Sequence, residues 1–104
     1  MAINLGIYQF EGPLESVSLI KEAEGIFAVL CLKEDGNFDL IHVEEANNLK
    51  AKIRNHINSR VWIKMCGHKL VFGVNYTPNL QTQGRKMIEN EIKQIYPIKK
   101  ETEE

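Results

Sequence analysis

The chain of 104 residues lacks the overall positive charge that is typical of proteins binding nucleic acid with most of their surface. Its formal net charge is -1 and its pI is about 6.3. Binding to nucleic acid rests on lysine and arginine side chains that neutralise phosphates. The composition therefore excludes a uniformly basic protein, and any basic surface must be local.

Cysteine is scarce, and its spacing carries no motif. Cys31 and Cys66 form neither a CxxC pair nor a dense disulfide pattern. A zinc site at Cys66 and His68 is disfavoured, because a structural zinc site takes four ligands in recognisable pairs. The chain also contains no signal-peptide pattern and no apolar run of membrane-spanning length. We therefore expect a cytoplasmic protein with reduced cysteines and no membrane partner.

The length and the 43% content of hydrophobic residues allow one core and exclude two domains. We expect residues 1–24 to form an arm followed by a short helix over residues 14–22. The arm is predicted as either a short strand or an extended segment. Residues 25–97 are expected to form the folded domain, and residues 98–104 a disordered tail.

Two β-like runs surround an Asp-Gly pair. Residues 26–32 are almost wholly apolar, which is typical of a central strand covered on both faces. Asp35-Gly36 is a strong hairpin signal, and residues 38–43 form the predicted returning strand. Either of two later runs can complete the sheet, residues 60–66 or residues 69–76, and we favour the second.

Helical periodicity follows the hairpin and returns near the end of the chain. Residues 44–57 predict an amphipathic helix, because apolar residues recur at every fourth position, namely Leu49, Ile53 and Ile57. Residues 82–96 predict a last helix that packs through Ile88, Ile92 and Ile95. The expected fold class is α+β, with a small, mainly antiparallel sheet of about three strands flanked by helices.

Local motifs sit on these elements in a recognisable order. Gly25-Ile26-Phe27 and Leu40-Ile41-His42 lie on the two hairpin strands, and an Asn-Leu and basic pattern fills residues 46–56. In order and spacing, residues 25–97 resemble the GIY-YIG nuclease superfamily. Gly6-Ile7-Tyr8 spells the first motif but lies too far upstream for the same hairpin, so we interpret it as coincidence.

The resemblance implies a site that hydrolyses phosphodiesters with two tyrosines, an arginine and a metal-binding glutamate. The matching positions in this chain are Phe27, Leu40, Lys52 and Glu89, and His42 stands at the motif glycine. Phenylalanine and leucine cannot exchange a proton, and a general base contributes roughly 100 to 10,000-fold in rate. Lysine neutralises phosphate without the bidentate fork of arginine. Only Glu89 keeps its identity, and it would hold Mg²⁺ or Mn²⁺ in an active enzyme.

Two of these residues also have structural interpretations. Glu89 can pair with Arg85 or Lys93, each four residues away on the predicted helix. His42 shares a strand face with Leu40 in a regular strand. It is therefore either a replacement base or a histidine packed at the sheet edge.

The expected function is a binding or accessory module without nuclease chemistry and without a required cofactor. The expected contacts to nucleic acid backbone are Lys50, Lys52, Arg54 and Arg60. Trp62 and Tyr76 either stack on bases or pack in the core. One alternative is a divergent metal-dependent nuclease with His42 or Tyr76 as the base. The other is a domain that binds a protein partner and no ligand, and the oligomeric state stays open.

Overall fold

The chain alternates between short strands and short helices. The computed structural model describes residues 2–96, with the elements β1 (Ala2–Leu5), β2 (Tyr8–Leu14), β3 (Gly25–Leu32), β4 (Phe38–Ala46), α1 (Leu49–Arg54), α2 (Ser59–Met65), β5 (Lys69–Tyr76) and α3 (Thr82–Ile95). The expectations for Pro97 and for a tail at residues 98–104 lie outside the described residues. No helix within the described range is long and apolar enough to cross a membrane.

Strand β3 is the centre of the sheet, as its apolar sequence predicts. All of its residues except the last are buried, and it pairs antiparallel with β4 on one side and β5 on the other. The β3–β4 hairpin turns at Asp35 and Gly36, where Gly36 has a φ of 88° that favours glycine. The predictions of this hairpin and of a strand at residues 69–76 are confirmed.

The prediction of three strands is wrong, because the sheet has five strands in the order β1-β2-β5-β3-β4. Residues expected to form an arm instead form the β1–β2 hairpin, and β2 covers the outer edge of β5. An uncovered edge would leave backbone groups unpaired, and the added hairpin also buries Ile3 and Phe10. The α+β class is unchanged.

The short helix expected at residues 14–22 is also absent. Strand β2 continues to Leu14, and only the 3₁₀ turn Val17–Leu19 follows it. Gly12 allows this path, because its φ is 146° and a Cβ there would lie 2.7 Å from the Phe72 carbonyl oxygen. The strand therefore passes too close to β5 for any other residue.

Helices cover both faces of the sheet and divide the core in two. The core beneath α1 and α2 contains Phe27, Val29, Leu49, Ile53 and Trp62 among its buried side chains. The core beneath α3 contains Ile3, Phe10, Leu30, Leu40 and Ile92. Every second residue of β3 contributes to the same core, as expected for a strand buried on both faces.

The helix predicted at residues 44–57 is shorter than expected. Residues 44–46 belong to β4, and the helix begins after Asn48, whose side chain accepts the Ala51 N–H. It ends at Arg54, so Ile57 is 90% exposed and takes no part in the packing stripe. The run at residues 60–66 is largely helix α2. The prediction of the last helix, α3, is confirmed, and Ile88 and Ile92 pack beneath it as expected, but Ile95 is half exposed and lies outside that core.

Cys31 and Cys66 are joined by a disulfide, which differs from the expected reduced cysteines. Cys31 lies on β3 and Cys66 follows the last residue of α2, so the bond ties this helix to the sheet. Their Cα atoms are 5.4 Å apart, a separation that a disulfide spans readily. The pair is 35 residues apart in sequence, which is why spacing motifs do not reveal it.

Candidate functional site

His42 faces α1 and α2 because β4 contains a β-bulge. Val29 of β3 pairs with His42, whereas the next residue, Leu30, pairs with Leu40. Ile41 is therefore the extra residue of the bulge. The predicted shared face of His42 and Leu40 is wrong, since Leu40 stays in the core beneath α3 and the His42 ring approaches the α2 side.

Glu44 is the centre of a hydrogen-bonded cluster on this side of the sheet. Its Oε1 lies 2.9 Å from His42 Nε2 and 2.8 Å from His56 Nε2. Its Oε2 lies 3.3 Å from Lys52 Nζ. The His56 ring also packs against Trp62, with 4.5 Å between ring centroids. Glu44 thus ties β4 to α1 and to the connection between α1 and α2.

The carboxyl of Glu44 keeps its negative charge well into the acid range. Burial raises its pKa, but hydrogen bonds from His42, His56 and Lys52 outweigh burial and lower the pKa to about 2. The cluster is therefore held by charge-assisted hydrogen bonds, which are stronger than neutral ones.

The same cluster has the donor set of a 2-His-1-carboxylate metal site. One atom each from His42, Glu44 and His56 lies within 4.8 Å of the others, and such a set suits divalent iron and related ions. A histidine that binds metal through Nε2 carries its proton on Nδ1. Here the Asn58 N–H donates to His56 Nδ1 at 3.1 Å, which assigns the proton to Nε2, facing Glu44. The hydrogen bonding therefore does not fit a metal ligand at His56.

Glu89, the expected metal ligand, uses both carboxylate oxygens within the protein. Its Oε1 accepts the backbone N–H of Glu45 at 2.9 Å, and its Oε2 accepts from Lys93 Nζ at 2.9 Å. Because β4 is an edge strand, Glu89 satisfies a backbone donor that no neighbouring strand reaches. The predicted pairing of Glu89 with Lys93 is confirmed.

Arg85, the other predicted partner of Glu89, is buried elsewhere, with only 1% of its side chain exposed. The guanidinium donates to the side chains of Glu45, Glu24, Asn47 and Thr82 and to the Leu80 carbonyl. A buried cation requires such complete pairing. Arg85 therefore fixes the start of α3 to the end of β4.

A polar groove of about 930 Å³ follows the outer edge of β4. His42, Lys52 and His56 line it from the side of α1, and Lys86 and Glu89 line it from α3. The structure therefore brings His42, Lys52 and Glu89 to one groove. The histidines and Lys52 already hold a carboxylate there, so the groove walls are largely satisfied internally.

Phe27 and Leu40 do not join this groove. Phe27 is fully buried in the core beneath α1 and α2, whereas Leu40 is buried in the core beneath α3. The residues at the two expected tyrosine positions thus lie on opposite faces of the sheet. Neither side chain can transfer a proton, and the two do not face a common cleft.

Four cations on α1 and α2 form what we name the basic face, namely Lys50, Arg54, Arg60 and Lys64. Each pair on one helix has a spacing of four and so shares a helix side. Within residues 2–96, no ion pair reaches any of the four, whereas Lys52, also a predicted contact, pairs with Glu44. The contacts of Lys50, Lys52, Arg54 and Arg60 to nucleic acid backbone all stay predictions.

Helix electrostatics explain only half of the basic face, because Arg54 and Lys64 lie in the last turns of α1 and α2, where the negative helix end stabilises a cation. Lys50 and Arg60 are each the second residue of a helix, and neither helix has an acidic residue in its first turn. A cation at this position opposes the positive helix end, and like charges at a spacing of four repel. Each effect destabilises the fold by a few tenths of a kcal/mol, approximately. Lys50 and Arg60 thus oppose local helix stability, whereas Arg54 and Lys64 do not.

Charge is also segregated along the chain, a signal that the net charge conceals. Residues 46–88 contain no aspartate or glutamate and eight lysine and arginine residues, while residues 1–45 contain nine acidic residues and two lysines. The basic face lies inside the acid-free segment. A count of charge by segment finds this pattern without a structure.

The two aromatic residues considered for base stacking are engaged in the protein. Trp62 is 1% exposed and packs against Phe27 and His56. Tyr76 is partly buried, and its hydroxyl accepts the Lys21 N–H at 3.1 Å. The core interpretation is confirmed for Trp62, and neither ring extends from the basic face.

No protein-family model, curated protein or solved structure matches this chain in comparisons with known proteins. Membership of the GIY-YIG superfamily stays a prediction. Function is accordingly inferred from the site itself.

Proposed function

We propose that this chain is a non-catalytic module that binds the phosphate backbone of nucleic acid through the basic face. The observation that carries the proposal is the set of four cations on two consecutive helices, none of which has an ion-pair partner within residues 2–96. Phosphate contacts by lysine and arginine supply most of the affinity in sequence-independent binding. Four contacts imply weak binding, with a Kd on the order of 0.1 mM or weaker at physiological salt.

The arrangement of α1 and α2 supports this proposal. Both helices pack on the same face of the sheet, and the Glu44 cluster and the Cys31–Cys66 disulfide hold them there. The cations are therefore presented on a fixed scaffold. A preorganised surface loses less conformational entropy on binding than a flexible tail with the same charges.

A divergent metal-dependent nuclease has less support from the geometry. Such an enzyme needs a free base and a free metal ligand in one cleft. Glu44 Oε1 engages His42, the substitute base, and Glu89 has both oxygens engaged. Binding requires neither group.

A salt titration tests the proposal. We expect a short fluorescent duplex to bind the chain. The logarithm of its association constant should fall with the logarithm of salt concentration with a slope of about -3 to -4, since each phosphate contact contributes about -0.9. The variant Lys50→Gln/Arg54→Gln should reduce the magnitude of the slope by roughly 2 and weaken binding. Fluorescence anisotropy at several salt concentrations measures both.

The matched control neutralises two cations elsewhere on the molecule. Lys33 and Lys69 are in ion pairs with Asp39 and Glu15, respectively. Lys33→Gln/Lys69→Gln changes the net charge by the same amount and should leave the slope unchanged. Equal losses in both variants would mean that net charge, not the basic face, attracts the ligand. No binding by the unaltered chain at low salt would refute the proposal.

A further inference from the structure

Ile57 is the most exposed large apolar side chain of the described residues, at 90%. It lies in the connection between α1 and α2, three residues after Arg54 and three residues before Arg60 in the sequence. Ile63, on α2, is 64% exposed and directly precedes Lys64. Two exposed isoleucines thus stand among cations in a segment that contains no carboxylate.

The residues on both sides of Ile57 are anchored. The ring of His56 is 8% exposed and is held by Glu44, and the Asn58 N–H donates to His56 Nδ1. The short connection therefore cannot fold Ile57 inward without breaking these hydrogen bonds. The side chain is displayed outward on a rigid support.

We propose that Ile57 is an apolar wedge that inserts beside an unstacked base, so that the basic face prefers a duplex containing an unpaired base. This inference rests on the proposed nucleic-acid binding. Isoleucine side chains adjacent to phosphate-binding cations are used in this way by proteins that kink a duplex. An unpaired base lowers the unstacking energy that insertion requires.

The structure disfavours a stacking-based preference for single strands. Trp62 is buried, and Tyr76 is partly buried with its hydroxyl bonded to the backbone, so neither of these rings forms a stacking platform at the basic face. Single-strand binding depends on aromatic platforms for much of its affinity. An aliphatic wedge between cations instead suits a duplex, whose spaced phosphates remain on both sides of the inserted side chain.

The test compares a short duplex that has one unpaired central base with the same duplex fully paired, in DNA and in RNA. We expect the unaltered chain to bind the interrupted duplex about fivefold or more tightly. Ile57→Asn should abolish the preference and leave binding to the paired duplex nearly unchanged. Ile7→Asn is the matched control, since Ile7 is 83% exposed in the β1–β2 turn, and should keep the preference. A 2-aminopurine base next to the interruption should brighten with the unaltered chain and not with Ile57→Asn.

The outcomes separate this inference from the function on which it rests. Equal, salt-dependent binding to both duplexes would refute the wedge and leave the basic-face proposal standing. Absence of binding to either duplex would refute both. Vesicles of phosphatidylglycerol and phosphatidylcholine are titrated in parallel. Tighter, Ile57-dependent binding to these vesicles would assign the exposed isoleucine to a lipid surface and overturn the inference.

Discussion

At the scale of single residues, Glu44 connects several charged and polar groups of the fold. Its carboxylate accepts from two histidines and one lysine that come from different parts of the fold. Sequence patterns single out His42 and Lys52 but not the carboxylate between them. Their convergence depends on the bulge at Ile41, because a regular strand would turn His42 to the other face.

Glu44 should make the stability of the protein dependent on acid pH. Its pKa falls from 4.5 to about 2 on folding, so its contribution is fully present above pH 4.5 and is lost as pH falls toward 2. The side chain is 26% exposed, and after allowing for solvent screening we expect a contribution on the order of 2 kcal/mol. The free energy of unfolding, measured with denaturant, should fall less between pH 4.5 and pH 2 for Glu44→Gln than for the unaltered chain.

The control for this prediction is Glu22→Gln, because Glu22 is exposed and has no hydrogen bond or ion pair within residues 2–96. Its profile between pH 4.5 and 2 should follow that of the unaltered chain. A Glu44→Gln profile that also follows the unaltered chain would contradict the role assigned to the cluster.

At the scale of elements, the outer edge of β4 depends on α3. Glu89 accepts the Glu45 N–H at this edge and pairs with Lys93. We expect Glu89→Ala to lower the free energy of unfolding by about 1–3 kcal/mol, because the part-buried Glu45 N–H loses its acceptor. Chemical denaturation in the presence of EDTA measures the effect without any divalent metal.

Asn90→Ala is the matched control on the same helix, since Asn90 is exposed. Its effect should stay within about 0.5 kcal/mol. If Glu89→Ala is equally neutral in EDTA but destabilising when Mg²⁺ is present, the carboxylate serves a metal and not the strand edge.

The sequence predicted the central elements better than the outer ones. Strand β3, the Asp35-Gly36 turn and α3 have strong local patterns, and the structure confirms them. The β1–β2 hairpin is placed by pairing with β5, which lies far along the chain, so local patterns did not reveal it. The spacing to Ile57 matched a helix, yet the helix ends at Arg54, because three apolar positions do not indicate where hydrogen bonding stops.

At the scale of the whole molecule, the chain should not cut nucleic acid. Phe27 and Leu40 lie on opposite faces of the sheet and carry no ionisable group. We expect no cleavage of supercoiled plasmid or single-stranded oligonucleotide with Mg²⁺ or Mn²⁺, measured by gel electrophoresis. Metal-dependent cleavage that disappears in Glu89→Ala would favour the divergent nuclease.

The uneven distribution of charge along the chain has a kinetic consequence. Residues 46–88 carry only positive charge, and the acidic residues lie before and after them. Within this segment the basic face has no ion-pair partner among residues 2–96, so under the proposed function its positive field steers an approaching polyanion before contact is made. Salt should therefore act mainly on the rate of association, and the lifetime of the complex, set by short-range contacts, should change much less.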